Sequence, residues 1–379
     1  MKPIVWLLVA VISLPAFADS LSVLSLLPDG NGGATAFALA SKKVVAIPID
    51  ASGTPHPERA TDVWRDVPTF PIFAVARTTA GYMLSFSDAL QIGWLSPLRA
   101  DFSAIAPPLP LGGEWPVPLA CNGDVCAVWR QRKGTLLFVN SKAAPLAEVP
   151  MPNLSAIAAA SDGGFAVVIS HTISSESAEL EVEFVNRTGE VTASSIVARG
   201  AGFAATVVPH PLGAAVFWLG RKEINEAVVR SDGTIETQNA TPVPDLQLWG
   251  VTVAVGGDEV ALLIDTLTEP WIGPPAPVSG PPVLTTYAMR MSNSLVALDA
   301  PVKLAPAVGV SSRVGPIVFT GDAFVAAWSE AQKSASPDYA GYFDRHSRVL
   351  RIPLAGPIDP SASRLLELGL AGRRRSVNR

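Results

Sequence analysis

The chain has 379 residues, with 28 Lys+Arg against 33 Asp+Glu; charged residues make up only 16%, while Pro and Gly number 34 and 30. So few charges and so many turn formers exclude a coiled coil or a disordered chain and point to a compact fold rich in turns. A net charge of −5 leaves no basic face able to neutralise a polyphosphate backbone, so nucleic acid is not an expected partner.

Residues 1–18 read as a signal peptide. Lys2 supplies the positive start, Ile4 to Leu14 an apolar run, and Ala16-Phe17-Ala18 a small-x-small cleavage site before Asp19. The run is too short to span a bilayer, which takes about 20 apolar residues. No later stretch is long enough, and with Cys121 as the first cysteine a lipid-anchored form is not expected. The expectation is a secreted or periplasmic protein without an integral membrane segment after signal removal.

From Asp19 onward the chain repeats one unit: an apolar strand, a tight Gly/Asp turn, and a second apolar strand that often ends in an aromatic residue. The second strands are marked in order by Ala36, Tyr82, Cys126, Phe165, Ala214, Val260 and Phe324. Their spacing is close to the period of about 40 to 50 residues expected of a four-stranded blade. The last interval is stretched by a Pro-rich insertion, 269–283, which reads as a stiff extended loop carrying Trp271. Third strands are expected at 44–49, 90–95, 136–139, 180–185, 226–229, 284–289 and 339–343. Turns such as Arg187-Thr-Gly189 and Ser231-Asp-Gly233 follow, and then a short fourth strand. Seven copies without an amphipathic helix predict an all-β fold, a β-propeller of seven four-stranded blades over 19–360. Six or eight blades, or a pair of β-sandwiches, are the alternatives. Residues 361–379, with Arg364, Arg373, Arg374, Arg375 and Arg379 against Glu367, read as a basic, disordered tail.

The repeats of the type Gly-Asp-x-Phe-Val-Ala-Ala-Trp, clearest at 321–328, resemble degenerate propeller repeats of secreted bacterial proteins, a group of mostly uncharacterised function. The resemblance implies the fold and a surface or periplasmic setting, and carries no activity, because this scaffold hosts binding proteins and enzymes alike.

Two constellations stand out. In Cys121-Asn-Gly-Asp-Val-Cys126, a two-residue loop at Gly123-Asp124 pairs Asn122 with Val125 and sets Cys121 opposite Cys126. Such a non-hydrogen-bonded pair has Cα atoms about 4.5 Å apart, at the short end of disulfide reach, and export favours its oxidation. The same slots hold Phe319 and Phe324, Val255 and Val260, and Ala160 and Phe165. Six residues before the first member of each pair stand Trp115, Trp249, Arg313 and Leu154, on the pair's own strand face because the separation is even. Either these side chains fill the wedge between blades, or Trp115, Trp249 and Arg313 ring the channel mouth as a platform for a ligand. In the first case the loops around Trp64, Glu114 and Trp271 are the better recognition candidates.

Catalytic signatures are absent: no G-x-S-x-G elbow, H-E-x-x-H or Walker loop. His56, His171, His210 and His346 sit apart and read as solvated loop residues, and no His or further Cys stands at metal-ligand spacing. Asp29-Gly-Asn-Gly-Gly33 opens like a calcium loop but lacks the downstream Glu. Asp88, Asp265 and Glu330 recur near the ends of second strands, as a carboxylate ring for glycoside chemistry or as solvated turn residues. The leading reading is an exported non-enzymatic propeller that binds a protein or glycan through one face, with no cofactor or metal. The alternative is a glycan-cleaving hydrolase or lyase.

Overall fold

The computed structural model describes residues 21–40, 43–65, 73–88, 90, 92–112, 118–173, 177–201, 205–220, 222–243, 247–267, 284–304, 310–333 and 342–366. They form seven four-stranded antiparallel sheets arranged as the blades of a propeller. Blade I holds β1 (Leu21–Pro28), β2 (Ala34–Ala40), β3 (Lys43–Ile49) and β4 (Thr61–Arg65), and blade II β5 (Phe73–Thr78), β6 (Gly81–Ser87), β7 (Gly93–Leu98) and β8 (Leu109–Gly112). Blade III holds β9 (Leu119–Asn122), β10 (Val125–Arg130), β11 (Thr135–Asn140) and β12 (Pro145–Pro150), and blade IV β13 (Leu154–Ala159), β14 (Phe165–Thr172), β15 (Ala178–Val185) and β16 (Val191–Ala201). Blade V holds β17 (Ala205–His210), β18 (Gly213–Leu219), β19 (Glu223–Arg230) and β20 (Ile235–Pro242). Blade VI holds β21 (Gln247–Gly256), β22 (Glu259–Leu267), β23 (Leu284–Ser292) and β24 (Val302–Lys303). Blade VII holds β25 (Val310–Phe319), β26 (Ala323–Lys333), β27 (Tyr342–Pro353) and β28 (Arg364–Leu366).

All seven marker residues fall in second strands, and the first strands of successive blades lie side by side around the axis, with β25 beside β1. Each blade is one continuous segment, and among the described strands none is exchanged where blade VII meets blade I. The closing seam is filled by apolar packing: Leu26, Ala36 and Ile47 of blade I against Val325, Val349 and Leu366 of blade VII. Six further clusters fill the other six seams, each shared by two neighbouring blades. Phe37, Phe138, Phe165, Phe184, Phe217, Phe324 and Trp328 are the largest side chains withdrawn from water there, and each such burial contributes about 1.5–3 kcal/mol.

Several boundaries and one register differ from the sequence reading. The third strand of blade II begins at Gly93, because Asp88 Oδ1 accepts from the N–H groups of Leu90 and Ile92 and extends the turn; Leu90 is left 79% exposed. The third strand of blade VII is described over Tyr342–Pro353, well past the expected end at 343, and 339–341 lie outside the described residues. Phe165 faces Ala159, not Ala160, since the Ala160 N–H bonds Gly164 O and lengthens that turn. The propeller also continues past residue 360: Arg364–Leu366 pairs with Ser347–Val349 as the outer strand of blade VII.

A second repeat lies in the loop between third and fourth strands. In blades I to VI the first loop position bonds back to the fourth and fifth: Asp50 with Gly53 and Thr54, Arg99 with Phe102 and Ser103, and Asn140 with Ala143 and Ala144. Asn186 with Gly189 and Glu190, Arg230 with Gly233 and Thr234, and Ser292 with Leu295 and Val296 complete the set. The fourth position is left-handed in all six, with φ between 60° and 92°, as a three-residue hairpin loop requires. In each case this residue rests on the preceding blade. Phe102 packs edge-on against Phe37 of blade I at 5.7 Å, Ala143 sits among Met83, Leu95 and Leu111 of blade II, and Leu295 among Val208 and Phe217 of blade V. A Cβ on Gly53, Gly189 or Gly233 would meet Arg351, Val149 or Ser194 of the preceding blade within 3 Å.

A candidate binding face

The alternating strand direction gives the ring two faces. One carries the turns between first and second strands and between third and fourth, and is termed the turn face. The other, the entry face, is where the chain enters each inner strand and where second strands lead into third.

Loops on the turn face are tied from blade to blade. Asn122 Nδ2 donates to Ala160 O and Gly164 O at 2.9 and 2.8 Å, Arg187 Nη1 of blade IV to Asp124 Oδ1 of blade III at 3.4 Å, and the Thr79 N–H to Gly123 O at 3.1 Å. Arg290 of blade VI donates to Pro353 O and Gly356 O of blade VII at 2.7 and 2.8 Å, and to both oxygens of Asp299. At the closing seam a cleft of about 280 Å³ opens, lined by Ser52, Gly53, Arg351, Pro353, Asp359 and Arg364. The Asp29 loop closes on itself, Oδ1 accepting from Asn31 and Gly33 N–H at 2.7 and 3.0 Å, as a turn does without an ion. Among the described residues no three His, Cys, Asp or Glu side chains gather as a metal site.

Three of the five candidates from sequence belong to the entry-face end of their strands. Trp64, half-buried near the end of β4, packs on Phe86 of blade II with ring centroids 4.3 Å apart. Trp249 is half-buried in the opening residues of β21, and Arg313 lies in the opening residues of β25, opposite Ser329. Trp115 and Trp271 lie outside the described residues. The strand ends that flank them, Gly112 and Leu119, and Leu267 and Leu284, all open on the entry face.

The even-spacing argument does not survive the registers. Trp249 is itself the extra residue of a β-bulge, since Leu248 faces Thr266 and Gly250 faces Asp265. Further bulges fall between Val314 and Ile317 and between Leu154 and Ala156. A bulge inserts one residue and reverses the face of everything before it. Leu154, accordingly, is core between blades III and IV.

The disulfide is present. Cys121 faces Cys126 across the hairpin with Cα atoms 4.0 Å apart, inside the seam between blades II and III.

The three recurring carboxylates each serve the fold and are not simply solvated. Asp88 Oδ2 accepts from Trp94 Nε1 at 3.0 Å. Glu330 accepts from Trp328 Nε1 at 2.9 Å and Arg348 Nε at 2.8 Å. Asp265, 2% exposed, accepts from Thr286 Oγ1 at 2.7 Å and from the Val314 N–H of the next blade. On blade IV, Glu181 pairs with His171 at 2.8 Å; burial, followed by the charge of Glu181, pushes the neighbouring Glu183 carboxyl up.

Two histidines differ from the solvated reading. His210 is buried and neutral, Nδ1 accepting from the Leu212 N–H and Nε2 facing Asn293 O of blade VI at 3.2 Å; burial holds its pKa below the ordinary value. His56 is half-buried and lies between Asp50 and Glu58 at 3.0 Å each, and those two carboxylates hold it above the ordinary value. With both ring nitrogens engaged it is no free general base.

No family model and no curated protein matches the sequence. Solved structures do match in fold. A chain from the Kuenenia stuttgartiensis hydrazine synthase aligns with a TM-score of 0.50 and 12% identity over 77% of this chain and 94% of that one. A chain of the mitotic checkpoint complex aligns with a TM-score of 0.52 and 11% identity over 83% and 86%. A prolyl endopeptidase aligns with a TM-score of 0.52 and 14% identity over 89% of this chain, which spans 54% of that enzyme. At such identities the likeness is one of fold, the seven-bladed propeller.

Proposed function

We propose that the protein is an exported, non-enzymatic propeller that binds a protein or glycan ligand through its entry face. The observation that carries this reading is the pair of half-buried aromatic side chains at entry-face strand ends, Trp64 and Trp249, beside the longest gap between described strands, from Leu267 to Leu284. Aromatic side chains that are partly wet are well suited to recognition, because they offer contact area at little entropic cost.

The commitment of Asp88, Asp265 and Glu330 to hydrogen bonds within the fold weighs against the glycan-cleaving alternative, which needs two carboxyl groups free to face a sugar. The disulfide supports export, since such bonds persist in oxidising compartments and are rare in the cytosol. Among the fold neighbours are a chain of a multiprotein complex and an endopeptidase, so the scaffold is compatible with either class.

A glycan array combined with a hydrolysis screen on residues 19–379 tests the reading. Capture of a ligand without bond cleavage is the expected result. Turnover of a captured glycan would overturn the non-enzymatic assignment.

A further inference from the structure

Glu226 lies in the middle of β19 and is 0% exposed. It faces Phe217 on β18 and Asn239 on β20, on the side of blade V that packs against blade VI. Its neighbours on that side, Ile224, Val228, Phe217, Val253, Leu262 and Ile264, are apolar. The Thr241 hydroxyl donates to Oε1 at 2.6 Å, while Oε2 is buried without a hydrogen-bond partner.

No cation faces this carboxyl among the described residues. On blade VI the residues turned toward blade V are Val260, Leu262 and Ile264, while Glu259, Asp265 and Arg290 alternate to the side of blade VII. On blade V, Glu223 alternates to the opposite face of β19, and Arg230 lies at the strand's far end, paired with Glu236 at 2.6 Å. His210 sits at the turn-face end of the same seam, bound to the Leu212 N–H and Asn293 O. Asp265 in the next seam offers the contrast: it receives both an N–H and an O–H, from two different blades.

We propose that Glu226 makes the seam between blades V and VI a proton-controlled joint, closed while its carboxyl holds a proton and loosened when it ionises. A buried carboxylate whose donors come from Thr241 alone, with no counter-ion among the described residues, is costly, and separating the blades to admit water is the available relief. Burial pushes the group up to about 7, against a smaller opposing effect of the Thr241 hydrogen bond. The sign follows. Below the ordinary value of 4.5 the folded and unfolded chains both hold the proton; above it only the unfolded chain releases it. Stability is therefore lost as pH rises toward 7, and the penalty is constant beyond. Leu295, which plugs the blade VI loop into blade V, and Asn239, which donates to Leu295 O at 3.1 Å, are the contacts that loosening would release.

The test compares the full chain with Glu226→Gln between pH 5 and pH 9. Over that range the parent's unfolding equilibrium should shift toward the unfolded state about 100-fold more than the variant's. Amide exchange in β19, β20 and β21, corrected for the intrinsic rate, should accelerate as pH rises from 5 to 7 and level off above that in the parent, and should not do so in the variant. Parallel stability curves would overturn the proposal. Should Glu226→Gln fail to fold, exchange in the parent decides alone. Acceleration confined to this seam supports the joint, and a uniform response across all seven seams contradicts it.

Discussion

Asp265 of blade VI accepts the backbone N–H of Val314 in blade VII through both carboxylate oxygens, at 2.9 Å each. The contact falls where β25 approaches its bulge and the regular ladder to β26 is interrupted, so a side chain satisfies an N–H of the inner strand. Asp265→Ala should cost about 1.5–3 kcal/mol, the range for a charge-assisted hydrogen bond whose buried partner is left unsatisfied. Urea denaturation of the variant beside the parent measures it.

The left-handed position of the loop between third and fourth strands gives a pair of opposite expectations. Gly189→Ala should lose about 1–3 kcal/mol, because an L-residue is strained at φ 92° and its Cβ would lie 2.5 Å from Val149 Cγ1. Ala143→Gly removes a buried methyl but relieves the strain at φ 61°, so the two effects nearly cancel and the change should stay within about 1 kcal/mol of the parent. Thermal melts of both variants check the contrast.

Removing the disulfide should weaken the fold without abolishing it. Cys121 and Cys126 close a loop of sequence separation 5, which constrains the unfolded chain little, so the double Cys→Ala variant should lose about 1–3 kcal/mol. Thiol titration of the unfolded, unreduced parent should find no free cysteine.

His210 predicts a loss on the acid side. Its folded pKa lies below the unfolded value of 6.5 because burial disfavours the imidazolium. The stability it contributes is present above pH 6.5 and is lost as pH falls through the lower folded value. His210→Gln should be less stable than the parent at pH 7, and the gap in melting temperature should narrow by pH 5.

Much of the fold was legible because its rhythm is carried by residues that obey simple rules. The turns Gly123-Asp124 and Gly257-Asp258, each followed by a buried run, mark two second strands directly. Glycine marks the loop repeat at Gly53, Gly189 and Gly233, of which the last two are read as turns in the sequence; Phe102, Ala143 and Leu295 occupy the same left-handed position without it. Register within the inner strands was not legible. The bulges at Trp249 and before Ile317 reverse face parity, and their sequence trace is no more than Gly250 and Gly315-Pro316 inside a strand. For Glu226, nothing local in Glu-Ile-Asn-Glu-Ala marks which of the two glutamates the neighbouring blade will cover.

The claim that the entry face binds the ligand is tested most directly by measuring affinity and stability together on variants of the two faces. Trp64→Ala and Trp249→Ala alter the entry face, and Arg364→Ala alters the turn-face cleft. For a ligand captured in the array screen, each Trp variant should weaken binding by about 1–3 kcal/mol, as truncation of a recognition aromatic does, while Arg364→Ala should leave it unchanged. Loss of binding in Arg364→Ala, with both Trp variants folded and binding as the parent does, would contradict the account.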